Sequence, residues 1–165
     1  MIQASDVIFE VKTGYFLPVE SAFKDIYGGG VIYGAKLTIG VWKNLSIWIE
    51  GSHFSKRGEL SYTKEETKVK IFPAGAGFQI YTEQGIMKIY GGTGIKYFQY
   101  NESNIIGEIS KGSLGYVSKA GVLINVYKGL VLDIFGDYAY CKMKPADFKI
   151  NIGGFSAGIG LGYTF

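Results

Sequence analysis

Large apolar residues alternate with small or polar residues along most of this chain. In the stretch VIYGAKLTIGVW, residues 31–42, the odd positions from 33 to 41 are Tyr, Ala, Leu, Ile and Val, and Gly, Lys, Thr and Gly lie between them. Because successive side chains of a strand point to opposite faces, this period of two predicts strands rather than helices. The pattern recurs in about eight segments and predicts an all-β fold.

The connections between these segments alternate between long and short. Three are tight, at Lys43–Asn44, Thr82–Gly85 and Lys128–Gly129. Four are long, and they cover residues 17–30, 60–67, 101–112 and 144–151. This alternation is typical of an antiparallel up-and-down meander that carries its long loops at one end. In the first long loop, ESAFKDIYGGG predicts a helical turn before the glycines.

Composition and charge exclude several function classes. The chain has 165 residues, which fits a single domain over residues 1–165, and a formal net charge of +3 gives no basis for nucleic-acid binding. Because Cys141 is the only cysteine and His53 the only histidine, we expect no internal disulfide, no zinc cluster and no cofactor. No apolar run reaches the roughly 20 residues of a spanning helix. MIQASDVIFE does not resemble a signal peptide, so we expect the mature form of any exported protein.

The second face of the strands indicates which side of the sheet is enclosed. It carries glycines, small hydroxyl residues and isolated charges of both signs. Each glycine weakens its strand, but a narrow barrel interior needs glycines because they leave room for long side chains. We therefore predict an interior network of mutually neutralising charges, with Lys36 and Glu50 on neighbouring strands and Lys119 and Asp137 likewise. Its predicted members are Glu10, Lys12, Lys36, Glu50, Lys88, Lys96, Lys119, Asp133 and Asp137.

The first face is almost free of charge over the middle of each strand, as expected for contact with lipid. Backbone groups in hydrocarbon must all be paired, so a spanning sheet has to close on itself. Aromatic residues gather near both ends of the strands, as in the two interfacial girdles of membrane barrels. These residues are Tyr81, Tyr127, Tyr163 and Phe165 near the short turns, and Tyr15, Tyr33, Tyr97, Tyr138 and Tyr140 near the long loops. We predict an eight-stranded antiparallel up-and-down transmembrane β-barrel.

This combination resembles the small eight-stranded bacterial outer-membrane barrels of the OmpA transmembrane domain, OmpX and OmpW kind. The most specific element is the C-terminal stretch GIGLGYTF. In that family, a last strand of alternating apolar residues that ends in an aromatic residue is the signal read by the barrel-assembly machinery. The matching positions here are Ile159, Leu161, Tyr163 and Phe165.

The resemblance also implies location and partners. The protein is expected in the bacterial outer membrane, with its termini and short turns in the periplasm and its four long loops outside. Its expected partners are outer-membrane lipid, lipopolysaccharide and, during insertion, the barrel-assembly machinery. We expect a monomer.

Three features carry candidate chemistry. His53 and Ser55 resemble the His-x-Ser pair of the lipid A deacylase PagL, with Glu59 as the nearest candidate acid, although in that family the pair lies much later in the chain.

The interior charges fit either an ion path or a salt-bridge plug, and we favour the plug because eight-stranded barrels are normally filled. The loops fit either a solvated cover that shields the barrel mouth or a binding surface, formed by an apolar patch or by cations that contact lipopolysaccharide phosphates. The patch is Ile105, Ile106 and Ile109, and the cations are Lys142, Lys144 and Lys149.

Taken together, these features predict a non-enzymatic barrel with a mostly plugged polar lumen and a structural or surface-interaction role through its loops. The first alternative is an OmpW-like channel for small apolar solutes that leave through a lateral opening. The second is a PagL-like lipid A deacylase that uses His53 and Ser55.

Overall fold

The computed structural model describes residues 6–59, 66–105, 107–144 and 149–165. In these residues, strands β1 (Val7–Pro18), β2 (Gly30–Trp42), β3 (Leu45–Glu59), β4 (Glu66–Gln84), β5 (Met87–Asn104), β6 (Gly107–Tyr127), β7 (Leu130–Tyr140) and β10 (Gly154–Thr164) form the wall of a barrel. Helix α1 (Ser21–Tyr27) lies between β1 and β2, and a small hairpin of β8 (Lys142–Met143) and β9 (Ile150–Asn151) lies between β7 and β10.

Each barrel strand pairs antiparallel with its sequence neighbour, and β10 closes the barrel against β1. The closing register runs from Ile8 opposite Thr164 to Pro18 opposite Gly154. The predicted all-β, eight-stranded antiparallel up-and-down barrel is therefore confirmed. No helix within the described ranges is long and apolar enough to cross a membrane.

The two ends of the barrel differ, as the loop pattern predicted. At the turn end, Lys43–Asn44 and Lys128–Gly129 form tight turns. Lys128 and Gly129 have φ of 38° and 90°, and a two-residue type I′ turn requires such positive values at both positions. The turn predicted at Thr82–Gly85 lies instead at residues 85–86, because Thr82 to Gln84 still pair with β5.

At the loop end, the predicted helical turn is α1, and two of the long loops extend into residues outside the described ranges: 60–65 and 145–148. The loop predicted over residues 101–112 is wrong. Asn101 to Asn104 pair with Gly107 to Ser110, so β5 and β6 continue almost to their connection. A side-chain bond from Ser110 Oγ to Asn101 Oδ1, 2.6 Å long, joins the two strands in this region. Strands β4, β5 and β6 have 19, 18 and 21 residues, well beyond the 9–11 or so that span a bilayer.

The interior of the barrel has three layers. An apolar cluster at the turn end contains Ile8, Tyr90, Leu123 and Val131, with Tyr81 packed against it, so Tyr81 faces inward instead of joining the predicted outer girdle. A larger apolar cluster fills the loop end and includes Phe23 and Tyr27 of α1. Buried charges occupy the layer between them.

The outer surface of the middle of the barrel is apolar. Its exposed side chains include Val11, Ile49, Phe78, Ile95, Ile134 and Leu161. Exposed tyrosines stand near the ends of the strands, among them Tyr15, Tyr33, Tyr97, Tyr138 and Tyr163. This inside-out arrangement of apolar and ionic residues is the arrangement that the sequence predicted.

A candidate functional site inside the barrel

The interior charges form two groups, and the first is built around Lys36 of β2. Its Nζ donates a hydrogen bond of 3.1 Å to Asp133 Oδ2 of β7 and lies 2.9 Å from Glu10 Oε2 of β1. Tyr90 of β5 donates its hydroxyl to both oxygens of Asp133 at 3.0 Å. Side chains of β1 and β7 thus meet at the ammonium group of Lys36 on β2, although β7 pairs with neither β1 nor β2.

The second group is built around Glu50 of β3. Its Oε1 accepts a hydrogen bond of 2.6 Å from Lys96, and its Oε2 accepts bonds of 2.7 Å from Lys119 and 3.2 Å from Lys12. Asp137 lies 3.8 Å from Lys12 and 3.9 Å from Lys119. The Glu50 carboxylate therefore ties β1, β5 and β6 to β3 across the interior.

Taken together, the two groups are electrically neutral. Four lysines face four carboxylates, and all eight side chains are almost fully buried. Aromatic rings supply further contacts for the cations, with Lys12 Nζ 3.6 Å from the centre of the Phe135 ring and Lys119 Nζ 3.9 Å from that of Trp48. The balance matters because an unpaired charge in this environment costs several kcal/mol.

Glycines make the room for these large interior side chains. A Cβ atom at Gly77 or Gly94 would lie 2.7 Å or 2.5 Å from the ring of Trp48. At Gly160 of β10, a Cβ would lie 3.2 Å from both Lys12 and Asp133, so this glycine also marks where the two charge groups adjoin. The glycines on the inner face therefore allow an eight-stranded barrel to hold long and aromatic residues.

Eight of the nine predicted network members are among these buried charges, and Lys88 is not. Lys88 lies at the turn end, where its Nζ is 3.1 Å from Glu83 and 3.4 Å from Asp6, both largely exposed. Lys36 and Glu50 lie on neighbouring strands, as predicted, and their Cα atoms are cross-strand partners, but the two side chains bind other residues. Sequence reasoning also missed Tyr90 and Trp48, although strand alternation places both on the inner face.

Little open space remains beside the charges. Two adjoining cavities of about 30 Å³ each share Ile32, Ser52, Lys96, Asp137 and Ser156 in their walls. A water molecule takes up about 30 Å³ in the liquid. The cavities therefore have room for about one water each and not for a hydrated ion with its full shell.

Helix α1 covers the loop end of this interior. Phe23 and Tyr27 point into the apolar cluster, and the Tyr27 hydroxyl donates to Glu102 Oε1 at 2.9 Å and lies 3.0 Å from Thr67 Oγ1. Burial raises the pKa of the Tyr27 hydroxyl above its ordinary value, so it stays a hydrogen-bond donor. On the other side of the helix, Glu20 accepts a hydrogen bond of 3.1 Å from the Asn151 amide. The helix is thus held to β4 and β5 at its C-terminal end and to the β8–β9 hairpin at its N-terminal end.

The pairing between β3 and β4 is interrupted in the middle of the wall. The register is continuous on both sides, with Gly51 opposite Ala74 and Phe54 opposite Ile71. Between these pairs, Ser52 and His53 do not pair with β4. Pro73 lies at this point and has no amide hydrogen to donate. Ser52 Oγ and His53 Nδ1 are buried atoms without a hydrogen-bond partner.

His53 and Ser55 lie on the outside of this part of the wall. The His53 ring packs against Phe72 and Tyr33, with centroids 4.3 Å and 5.2 Å apart, and no hydrogen bond joins it to Ser55 in the described chain. Glu59 lies six residues further along the same strand, which places its Cα about 20 Å from that of His53. The structure does not bring this candidate acid to the histidine.

The predicted assembly residues all lie in or beside the closing strand. Ile159, Leu161 and Tyr163 are exposed on its outer face, and the rings of Tyr163 and Phe165 are in contact at 5.1 Å. The Phe165 amide donates to the Val7 carbonyl at 2.9 Å. Among the loop candidates, Lys142, Lys144, Lys149 and Ile105 are exposed, Ile109 is partly exposed, and Ile106 lies outside the described residues.

Comparison with solved structures identifies the fold. OprG of Pseudomonas aeruginosa superposes with a TM-score of 0.81 at 15% identity, over 98% of this chain and 96% of that one. Neisserial surface protein A gives a TM-score of 0.70 at 15% identity, over 100% and 99%. Outer membrane protein W of E. coli gives 0.61 at 16% identity over the whole of both chains.

The chain has the fold of the eight-stranded outer-membrane β-barrels. The resemblance inferred from GIGLGYTF and the strand pattern is thereby confirmed at the level of fold. At the level of sequence, no family model and no curated protein matches the chain.

Proposed function

We propose that the protein is an integral barrel of the bacterial outer membrane whose lumen is closed by the charge network, with a structural or surface-interaction role through its loops. The balance of four buried lysines and four buried carboxylates is the observation that carries this proposal. Since nearly every interior charge is held by a partner and the cavities beside them are about 30 Å³, the interior favours a stable filling over an ion path. The proposal includes a monomer surrounded by outer-membrane lipid and lipopolysaccharide, inserted by the barrel-assembly machinery, with no nucleic-acid partner.

Conductance in planar bilayers tests the closed lumen. We expect no steady ohmic openings from the wild-type barrel. Glu50→Gln should introduce openings, because three lysines then lose their shared carboxylate and draw water into the lumen. Lys88→Gln is the matched control, since it removes a cation that pairs outside the network. A steady wild-type current that rises with salt concentration would contradict the proposal.

A second candidate function is a lateral route for small apolar solutes. The missing rungs at Ser52–His53 and Phe72–Pro73 favour it, because Ser52 and Pro73 line both an interior cavity and an outer groove. The interior cavity reaches Phe16, Phe54 and Phe98 of the apolar cluster at the loop end.

Uptake of a small apolar dye into proteoliposomes separates this route from the closed barrel. Pro73→Val supplies the missing amide and should slow uptake if the route exists. Pro18→Val, at the end of β1, serves as the control. Equal uptake by wild type, Pro73→Val and empty liposomes would reject the lateral route.

The proposed role is non-enzymatic. His53 packs between aromatic rings, and its surroundings in the described chain provide no carboxylate that could orient it for activating Ser55. Mass spectrometry of lipid A from cells that express wild type or His53→Ala should show the same acyl pattern. Loss of an acyl chain only with the wild-type protein would establish a deacylase.

A further inference from the structure

Three cations that form no ion pair within the described residues lie side by side on the outer wall of β3 and β4. Arg57 lies directly opposite Lys68, and Ser55 lies opposite Lys70. The alternating neighbours Thr67 and Val69 are buried, so these cations point outward. Side chains directly opposite each other across two strands have Cβ atoms about 5 Å apart, and like charges in that position destabilise the sheet.

In the part of the chain that the structure describes, the neighbouring side chains form no ion pair with these cations. On β5, the positions opposite Lys68 and Lys70 are the neutral Ser103 and Asn101. Two residues further along the strands, on the same face, Glu59 lies opposite Glu66. In the described part of the chain, neither carboxylate forms an ion pair with Arg57, Lys68 or Lys70. Three cations thus outnumber the two carboxylates Glu59 and Glu66 on this part of the surface, and the positive excess can be offset by an external anion.

An apolar groove lies directly below the cations. It has a volume of about 530 Å³, within the range of ligand pockets. Small residues make the wall concave here, and a Cβ added at Gly51 would meet no atom within 4 Å. The residues that line the groove include Tyr33, Ala35, Gly51, His53, Phe72 and Ala74.

The spacing of the cations and the groove along the strands matches the order of headgroup and acyl chain in a lipid. Lys70 and Ser55 are two residues beyond Phe72 and His53 along their strands, a distance of about 7 Å. Phe72 and the nearby Tyr33 are exposed aromatic residues at the loop end of the apolar surface, where interfacial side chains meet headgroups. The cations are therefore at headgroup level and the groove at acyl-chain level.

We propose that this wall binds one outer-leaflet lipid with a phosphate-bearing headgroup. The phosphate lies against Arg57, Lys68 and Lys70, and one acyl chain lies in the groove. Arginine can bind a phosphate through two parallel hydrogen bonds, and the lysines add point charges, so the anion removes the repulsion between Arg57 and Lys68. The proposal rests on the proposed outer-membrane location, and it goes beyond it by naming the face, the lipid class and the residues.

Native mass spectrometry of the full chain in detergent tests the site directly. The probes are diphosphorylated lipid A, its dephosphorylated form and inorganic phosphate. The site variant is Arg57→Gln/Lys68→Gln/Lys70→Gln, and the matched control is Lys24→Gln/Lys43→Gln/Lys128→Gln, which removes the same charge from exposed positions outside this part of the wall. We expect about a 100-fold loss of lipid A binding in the site variant, since each cation near an anionic lipid surface contributes about a factor of five. The control should bind as wild type does.

Two further measurements separate lipid from free anion. Gly51→Phe fills the groove and should weaken lipid A binding while leaving the three cations in place. Equal binding of lipid A and its dephosphorylated form would overturn the proposal, and so would a greater loss in the control variant than in the site variant. Binding of inorganic phosphate as tight as that of lipid A, unaffected by Gly51→Phe, would assign the cations to a small-anion site and overturn the lipid.

Unfolding by urea gives a reading that does not depend on binding assays. In phosphatidylcholine bilayers, the site variant should be at least as stable as wild type, because like charges have been removed. In bilayers that contain lipid A, wild type should become the more stable of the two. A folded, inserted barrel without this reversal would refute the lipid site and leave the proposed outer-membrane role intact, whereas failure to insert at all would refute that role.

Discussion

Replacing Glu50 with glutamine is the most direct test of the charge network. The substitution keeps the shape of the side chain and removes its charge. Glu50 Oε1 accepts from Lys96, and Oε2 accepts from Lys119 and Lys12. Glutamine can retain one oxygen acceptor for Lys96, but its amide nitrogen then faces two ammonium groups that it cannot accept from.

The expected loss follows from these contacts. Two charge-assisted hydrogen bonds disappear, each contributing about 1.5–3 kcal/mol. The net charge of the group formed by Lys12, Glu50, Lys96, Lys119 and Asp137 also rises by one. We therefore expect the free energy of unfolding to fall by about 3–5 kcal/mol, the usual cost of breaking a buried ion pair.

Urea unfolding in lipid bilayers, followed by tryptophan fluorescence, measures this loss. The chain has two tryptophans: Trp42 is exposed, and Trp48 is buried beside Lys119. In a Trp42→Phe background, Trp48 alone reports on the interior.

Two comparisons make the result specific. Lys88→Gln should lose less than about 1 kcal/mol, because its partners Glu83 and Asp6 are largely exposed. Adding Lys119→Met to Glu50→Gln restores the net charge of the group and should return part of the loss, with a coupling of about 0.5–3 kcal/mol. If Glu50→Gln costs no more than Lys88→Gln, the interior ions do not stabilise the barrel and the reasoning fails.

Three further predictions concern other parts of the barrel. Tyr27→Phe removes the hydroxyl that holds α1 to Glu102, so hydrogen exchange of the α1 amides should speed up while global unfolding shifts by about 1–3 kcal/mol or less; unchanged exchange would count against the anchored helix. Gly77→Ala places a Cβ against the Thr93 carbonyl oxygen and 2.7 Å from the Trp48 ring, so we expect a loss of at least about 1–3 kcal/mol and a red shift of Trp48 emission, both absent in Gly51→Ala, where the Cβ meets no atom within 4 Å. Phe165→Ala should slow insertion in cells while the protein refolded in lipid stays nearly as stable as wild type, and normal insertion would reject its role in the assembly signal.

Strand alternation was enough to predict the barrel and the inner position of most charges. The reason is geometric: in a closed sheet with one apolar face, a residue's parity decides which face it occupies. Parity does not decide which partner a side chain takes. Lys36 is long enough to pass its cross-strand neighbour Glu50 and reach Asp133 on β7, a strand that does not pair with β2. The network therefore depends on the curvature of the closed barrel, which no local pattern contains.

The polar stretch after Asn101 shows a second limit of sequence reasoning. Its composition is typical of a loop, yet Asn101 to Asn104 keep their backbone pairing with β6, so the strands continue through it. Tyr90 and Trp48 show a third limit. Aromatic residues in a membrane barrel suggest a position at the interface, but these two fill the interior and bind Asp133 and Lys119. Glycines on the neighbouring strands, such as Gly77 and Gly94, were the available signal for a large inner side chain.

The two charge groups neutralise each other, because one has an excess negative charge and the other an excess positive charge. The group around Lys36 has two carboxylates for one lysine, and the group around Glu50 has three lysines for two carboxylates. Each alone would leave one uncompensated charge in a low-dielectric interior, which costs several kcal/mol. They adjoin beside Gly160 on β10, the strand that closes the barrel. Because β10 pairs with both β1 and β7, closing the wall brings the two groups side by side, and the eight buried charges of the described residues then form one neutral set.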